Sequence, residues 1–216
     1  MKQLLLLFGA SLLPSLGRAQ AVPAVRFGLM AGGALNTLVG HGIASEPRVQ
    51  PLAGVVGGLV AQVPLTAKGH LFLQPEVLYA QEGYRLSHPS TNYAATLRAS
   101  YAALPLLLGF TAHGFFAAAG PQLGYLVGVH ERYRFQHYAP GGVPTGQGES
   151  VETDVRGRRR WETSLAAAVG YRFAGGLGVE ARYTEALTSA RGGSVFGEGA
   201  GPRNAGGQLR LSYLLP

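Results

Sequence analysis

The 216-residue chain contains no cysteine, which excludes disulfide bonds, cysteine-ligated metal and a cysteine-linked lipid anchor. Charged residues make up 13% of the sequence, against roughly 25% in an average soluble domain. Beyond the N-terminus, no uninterrupted apolar stretch approaches the roughly 20 residues that a membrane-spanning helix needs. A chain with few charges and no spanning helix is compatible with a β-barrel whose outer surface faces lipid.

Glycine, in contrast, is abundant. The 33 glycines are about twice the average share of roughly 7%, and the mean hydropathy is +0.14. Glycine weakens a strand unless the strand bends tightly or lies close to other backbone, and a small barrel requires both. The composition therefore favours a glycine-rich barrel.

The N-terminus has the pattern of a secretory signal peptide. Lys2 supplies a positive charge, Leu4–Leu13 is a short apolar run, and small residues precede Gln20. We expect residues 1–19 to be the signal, with cleavage after Ala19 or, alternatively, after Ala21. Residues 20–216 would then form a single exported domain.

Alternation of side-chain type with a period of two predicts strands along the exported part. In Leu177–Leu187, apolar side chains occupy one face and polar or small ones occupy the other. Eight segments are predicted as strands: Val25–Asn36, Leu52–Val63, His70–Glu82, Leu97–Phe110, Phe115–Val127, Trp161–Phe173, Leu177–Leu187 and Gln208–Leu215. The segments 52–63 and 97–110 are apolar on both faces, so their register stays open. Bulges or rim positions would accommodate Pro75, Pro105 and Pro121.

The connections between these segments alternate in length. Three are short: Pro64–Gly69, Thr111–Gly114 and Ala174–Gly176. Four are long: Thr37–Pro51, Tyr84–Tyr93, Val129–Arg160 and Thr188–Arg203. This alternation is typical of an outer-membrane barrel, in which periplasmic turns are short and extracellular loops are long. We predict an all-β, eight-stranded antiparallel up-and-down transmembrane barrel with both termini periplasmic. A soluble periplasmic sandwich is the alternative.

The polar faces of the predicted strands carry both signs of charge. The predicted interior residues are Arg26, Glu76, Glu162, Arg172, Glu180, Arg182 and Arg210. Eight strands leave an interior just wide enough for side chains to fill, so we interpret these residues as a structural network. A narrow polar conduit is the alternative.

Aromatic residues cluster near the ends of the strands, as expected of two membrane-interface belts. Near the short turns the sequence has Phe27, Phe110, Phe115, Phe173 and Tyr213. Near the long loops it has Tyr84, Tyr133 and Trp161.

The mature chain resembles the PorT-like outer-membrane β-barrel family of Bacteroidota. The resemblance rests on the stretches 28–36, 73–79, 101–106, 120–125, 180–183 and 209–213. It implies an eight-stranded outer-membrane barrel and transfers no catalytic residue. The C-terminus is similar to the signal that barrels present to the barrel-assembly machinery, although it stops at Pro216 where a terminal aromatic is common.

The longest loop contains the most pronounced charge cluster. Its arginines are predicted to pair with phosphates of lipopolysaccharide or with an acidic partner. The predicted binding residues are Arg156, Arg158, Arg159, Arg160 and Trp161. The alternative is that Glu149, Glu152 and Asp154 balance these arginines in a solvated loop.

An enzymatic site has one candidate pair, His130 and Glu131 at the rim of the fifth strand, with Ser189 or Ser194 as a conceivable nucleophile. Adjacent residues on a strand point to opposite faces, which argues against a direct pair. No metal-ligand spacing is present, and we expect no cofactor. The arginines lack the aromatic interleaving of nucleic-acid grooves, so we expect no nucleic-acid partner.

The sequence therefore predicts an outer-membrane barrel with a structural, surface-interaction or secretion-accessory role, without enzymatic activity or a wide pore. Its expected partners are outer-membrane lipid and lipopolysaccharide, the assembly machinery during biogenesis, and other envelope proteins. A lipid A hydrolase at the barrel rim and a narrow small-solute channel are the alternative functions.

Overall fold

The computed structural model describes residues 24–40, 48–88, 93–138, 144–156, 158–188 and 202–215. These residues form nine strands: β1 (Arg26–Val39), β2 (Arg48–Pro64), β3 (Leu71–His88), β4 (Tyr93–Ala112), β5 (Phe115–Tyr138), β6 (Pro144–Glu152), β7 (Trp161–Arg172), β8 (Leu177–Ala186) and β9 (Arg203–Leu214). Within the described ranges, no helix is long and apolar enough to cross a membrane.

Eight of the nine described strands close into a ring. Each strand pairs antiparallel with the next one along the chain, except that β5 pairs with β7 across the intervening β6, and β9 returns to β1. The predicted eight-stranded up-and-down barrel is confirmed. The remaining strand, β6, lies outside the ring. It pairs with the distal part of β5 in a hairpin.

Side-chain alternation fixes which face of each strand turns outward. In β8, Leu177 and Val179 are exposed, whereas Glu180 and Arg182 are buried. Large apolar side chains stand exposed all round the ring, among them Leu29, Leu59, Val77, Leu108, Leu165, Val169 and Leu209. A soluble sandwich buries such residues, whereas a barrel in lipid exposes them and encloses its polar groups.

The register of β2 and β4, which the sequence left open, places one apolar set inside. Val56 and Val60 of β2 face the interior, as do Ala103 and Leu107 of β4. These strands border an apolar part of the lumen, where Met30 and Leu78 contribute to the same cluster as Val56. Both faces are therefore apolar, and alternation cannot distinguish them.

The expectation of bulges or rim positions at the three strand prolines is wrong. The pairing keeps its register through all three, and their partners are Leu106 for Pro75, Gln122 for Pro105 and Leu165 for Pro121. Register shifts occur elsewhere, for example between Pro51 and Val56. A proline removes only its own N–H donor, and pairing resumes in the same register beyond it.

The strands run further at the long-loop end of the barrel than the sequence predicted. β1 continues to Val39, β3 to His88 and β4 starts at Tyr93. The predicted loop 129–160 is wrong over much of its length, because β5 and β6 occupy it as a hairpin. Its sequence is typical of a loop because charged side chains occupy the outward face of β5, which removes the apolar half of the strand pattern.

Candidate functional site

Four charged residues form an ionic network in the middle of the lumen. Arg182 donates two hydrogen bonds to the carboxylate of Glu76, at 2.9 and 2.6 Å. Its Nε atom donates to Glu180 at 2.9 Å. Arg210 pairs with Glu76 at 3.4 Å and also with Glu180. The network joins β3 to β8 and β9 across the barrel.

The charges of this network balance, with two arginines against two glutamates. All four side chains are almost completely buried. Buried ions are tolerated only where they are paired and hydrogen-bonded. Gln74 supports the arrangement by donating to Glu76 at 2.7 Å. The network therefore fills the lumen and ties opposite walls together.

A second polar layer lies nearer the long-loop end, around Glu162. Asn204 donates to its Oε2 atom at 2.8 Å, and Ser164 donates to Oε1 at 3.3 Å. Tyr101 approaches the same carboxyl at 3.5 Å. Glu82 lies beside the same carboxyl group. The sequence missed the importance of Glu82, whose partner lies eighty residues away.

Apolar side chains close the short-turn end of the lumen. Phe72 and Phe116 meet edge to face, with ring centroids 6.4 Å apart. Leu107, Ala118 and Ala166 complete the cluster. The guanidinium of Arg172 lies 5.0 Å from the centre of the Phe116 ring.

Glycines make room for these rings. A Cβ atom at Gly109 would collide with the Phe72 ring, and a Cβ at Gly170 would collide with Phe116. This close approach accounts for two glycines inside strands that otherwise continue regularly.

A second apolar cluster closes the long-loop end. It contains Tyr84, Leu97, Tyr101, Leu126 and Val129, together with Ala99. Val155, from the segment that follows β6, packs against it. A cavity of about 30 Å³ remains beside this cluster, which is room for about one water molecule. The described part of the lumen is thus packed at both ends.

Arg158 seals the same mouth electrostatically. It forms an ion pair with Glu131, whose side chain is 2% exposed. Burial lowers the pKa of Arg158, but the hydrogen bond and charge of Glu131 outweigh burial, and the net pKa lies above its ordinary value. Arg158 therefore stays charged, and it faces the barrel mouth instead of solvent.

The structure does not bring the predicted arginine cluster together as one patch. Arg156 and Arg159 are exposed, whereas Arg158 points into the mouth. Arg160 donates to the carbonyl of Leu126 at 3.5 Å and lies 5.9 Å from the Tyr125 ring centre. Trp161 stacks edge to face on Tyr125 at 4.9 Å.

The acidic residues expected to balance this cluster have other contacts. Glu149 pairs with Arg132 and Arg134 of β5. Asp154 accepts a hydrogen bond from the backbone N–H of Arg156 at 2.8 Å. The expectation that Glu149 balances the predicted cluster is therefore wrong, because Glu149 pairs with arginines of the hairpin.

The other predicted interior residues differ in burial. Glu162 is buried, whereas Arg26 and Arg172 at the short-turn end are half-buried. Arg26 reaches the terminal backbone, donating to the carbonyl of Leu214 at 3.5 Å. These two arginines lie at a rim, where solvent screens them more than it screens the central network.

Two belts of outward aromatics border the apolar surface. Phe27, Phe110, Phe115, Phe173 and Tyr213 are all exposed at the short-turn end. Tyr79, Tyr125, Trp161 and Tyr183 are exposed toward the other end. Trp161 and Phe173 are twelve positions apart, which corresponds to roughly 30 Å of height for a tilted strand. Tyr84 does not belong to the belt as predicted, because its position in β3 points inward and it is buried.

The candidate acid–base pair is not assembled. His130 is exposed on the outer face of β5, and Glu131 is buried on the inner face. Ser189 and Ser194 lie outside the described residues. Within the described ranges, no group of three or more histidine, aspartate or glutamate side chains is arranged to hold a metal.

Residues 18–191 match the family described as Outer membrane protein beta-barrel domain. The chain belongs to this outer-membrane β-barrel family. Family membership and the lipid-compatible outer surface assign the protein to the outer membrane. No curated protein matches the sequence.

Several solved structures are similar to this chain at low sequence identity. Ail, the attachment invasion locus protein of Yersinia pestis, was crystallised with the heparin analogue sucrose octasulfate; it is 10% identical, with 89% of this chain and 100% of that chain covered and a TM-score of 0.47. Neisserial surface protein A is 13% identical, with 88% and 99% covered and a TM-score of 0.42. An outer membrane channel from Pseudomonas putida F1 is 11% identical, with 92% and 98% covered and a TM-score of 0.33.

Proposed function

We propose that this outer-membrane barrel is a closed, non-enzymatic scaffold that carries an interaction surface outside the cell. In this proposal residues 1–19 direct export, both termini are periplasmic, and the β5–β6 hairpin projects from the outer face. The partner in this proposal is lipopolysaccharide or another envelope component. The narrower PorT-like assignment stays a prediction.

One observation carries the proposal. Apolar clusters close both ends of the described lumen, while β5 continues past its last pair with β7, at Tyr125, as far as Tyr138. A barrel closed at both ends does not favour passage of solute, and a strand pair that leaves the ring contributes little to closing it. The β5–β6 hairpin beyond the ring is therefore available for binding.

The alternative functions find less support in the geometry. A hydrolase needs its base near a nucleophile, and His130 stands alone on the outer face of β5. A channel needs a polar path, and the two apolar clusters interrupt the polar layers. Steady single-channel conductance from the purified protein would contradict the proposal.

In-cell photocrosslinking tests the interaction directly. A photoreactive phenylalanine analogue at exposed Thr145 of β6 should form a covalent adduct with another envelope component. The same analogue at Gly175, in the short turn before β8, is the matched control for a position at the opposite end. Adducts absent at Thr145, or equal at both positions, would overturn the proposed role.

A further inference from the structure

The outward face of the strands beyond the outer aromatic belt carries a group of arginines. We name it the outer arginine face. It consists of Arg48 of β2, Arg85 of β3, Arg98 of β4, and Arg132 and Arg134 of β5. The sequence did not single out any of these residues, because they lie in segments interpreted as loops or as a strand of unknown register.

Strand pairing brings these side chains onto one continuous surface. Arg98 pairs with His130, and Thr96 lies between Arg85 on one side and Arg132 on the other. Facing side chains on neighbouring strands lie about 5 Å apart. Arg134 and Arg48 occupy the next row outward, separated by Ser87 and Ala94. The arginines therefore form a field that spans four strands.

The positive charge of this field is mostly uncompensated by its described neighbours. Glu149 accepts both Arg132, at 3.0 Å, and Arg134, at 3.4 Å. Two guanidinium groups thus share one carboxylate. Arg98 donates to the neutral amide oxygen of Gln81 at 3.1 Å. An anion placed here would meet several donors whose charge is not already neutralised.

The height of the field matches that of lipid headgroups. Gln81, the partner of Arg98, also donates to the Tyr79 hydroxyl at 3.1 Å, and that hydroxyl contacts Ser100 at 2.9 Å. Tyr79 belongs to the outer aromatic belt, where a membrane-interface position is expected. Arg98 lies four residues along β4 from Ala102, the strand partner of Tyr79, on the same outward face that contacts lipid lower down.

We propose that the outer arginine face binds the phosphate groups of a phosphorylated lipid in the outer leaflet. Arginine presents a planar fork of donors that matches phosphate oxygens, and such charge-assisted bonds are stronger than neutral ones. A lipid is favoured over a soluble anion because the face turns sideways toward the bilayer and is continuous with the apolar wall. The inference rests on the orientation given in the proposed function, and it names a phosphorylated lipid as the partner of the outer arginine face.

The test uses bisphosphorylated lipid A as the probe and lipid A without phosphates as its control. The full-length protein, refolded in detergent, is titrated with each lipid, and bound lipid is counted by native mass spectrometry. We expect binding of the phosphorylated lipid to weaken at least about tenfold on phosphate removal. Equal binding of the two lipids would overturn the inference. This part of the test needs only the parent protein.

Variants locate the binding surface. Arg98→Gln/Arg132→Gln/Arg134→Gln should lose at least about tenfold in affinity for the phosphorylated lipid. Lys68→Gln, at the short-turn end, is the control for removal of a surface cation. Heat-modifiable mobility checks that each variant is folded. If Arg156→Gln/Arg159→Gln loses binding instead, the phosphate site lies on the loop above the mouth, and the inference is wrong.

Two comparisons separate this inference from the proposed function. Adducts at Thr145 without phosphate-dependent lipid binding would retain the surface role and reject the lipid site. Phosphate-dependent binding without adducts at Thr145 would retain the lipid site and reject the hairpin as an interaction surface. Inorganic phosphate as a competitor tests the source: displacement of lipid A at millimolar phosphate would indicate a site for the free anion and would overturn the assignment to lipid.

Discussion

Arg182 is a fully buried arginine in the described lumen, and it forms ion pairs with two carboxylates. Its bidentate contact with Glu76 and its bond to Glu180 connect β8 to β3. A buried charge that loses its partner costs far more than a surface charge. The central network is therefore a place where one substitution has a large effect on stability.

Replacing Arg182 with methionine should lower the free energy of unfolding by about 3–5 kcal/mol, because Glu76 and Glu180 are left with Arg210 alone. Urea unfolding in lipid vesicles, followed by the fluorescence of the single tryptophan, measures this loss. Arg159→Met removes an exposed arginine and should change stability by less than about 0.5 kcal/mol.

The paired variant Glu180→Gln/Arg182→Met restores charge balance and should recover part of the stability. If the paired variant is less stable than the single one, the two residues do not compensate each other as the contacts imply.

The strand elements differ in how far they can be predicted from sequence. β7, β8 and β9 alternate between apolar and polar side chains, so their faces and interior charges follow from the pattern. The outer part of β5 has charged residues on its outward face, and that pattern is typical of a solvated loop. Only pairing with β4 and β6 shows it to be a strand.

Long-range contacts account for the rest of what the sequence could not predict. The contact of Glu82 with Glu162 joins strands far apart in the chain. The Arg158–Glu131 pair depends on a segment folding back over the barrel mouth. None of these contacts has a local sequence signal.

The segment between β6 and β7 acts as a closing element, held by Val155 in the apolar cluster and by Arg158 on Glu131. Val155→Asp buries a carboxylate without a partner, so the segment should detach. Trypsin should then cleave after Arg158 at least about tenfold faster than in the parent protein, because proteolysis follows the population of the open form.

Cleavage after Arg158 is measured by peptide mass spectrometry. Val151→Asp, at an exposed position on β6, is the matched control and should leave the rate unchanged. Equal cleavage after Arg158 in both variants would show that Val155 does not hold the segment in place.

At the scale of the whole molecule, the ring, the two aromatic belts and the unequal connections define one direction through the membrane. Short turns lie beside the Phe-rich belt, and the hairpin lies beyond the Trp161 belt. Short turns face the periplasm in bacterial outer-membrane barrels. The proposed orientation therefore places the outer arginine face in the outer leaflet, where phosphorylated lipids would reach it.

The absence of cysteine makes this orientation directly measurable, since every introduced thiol is unique. Ser150→Cys lies on exposed β6, and Gly175→Cys lies in an open turn at the opposite end. A membrane-impermeant maleimide should label the first variant in intact Gram-negative cells and the second only after the outer membrane is permeabilised. The reverse pattern would show that the barrel has the opposite orientation in the membrane. The outer arginine face would then not lie in the outer leaflet. Labelling of both variants in intact cells would mean that the short turns are not shielded by the membrane, which contradicts the periplasmic position of the termini that lie beside them.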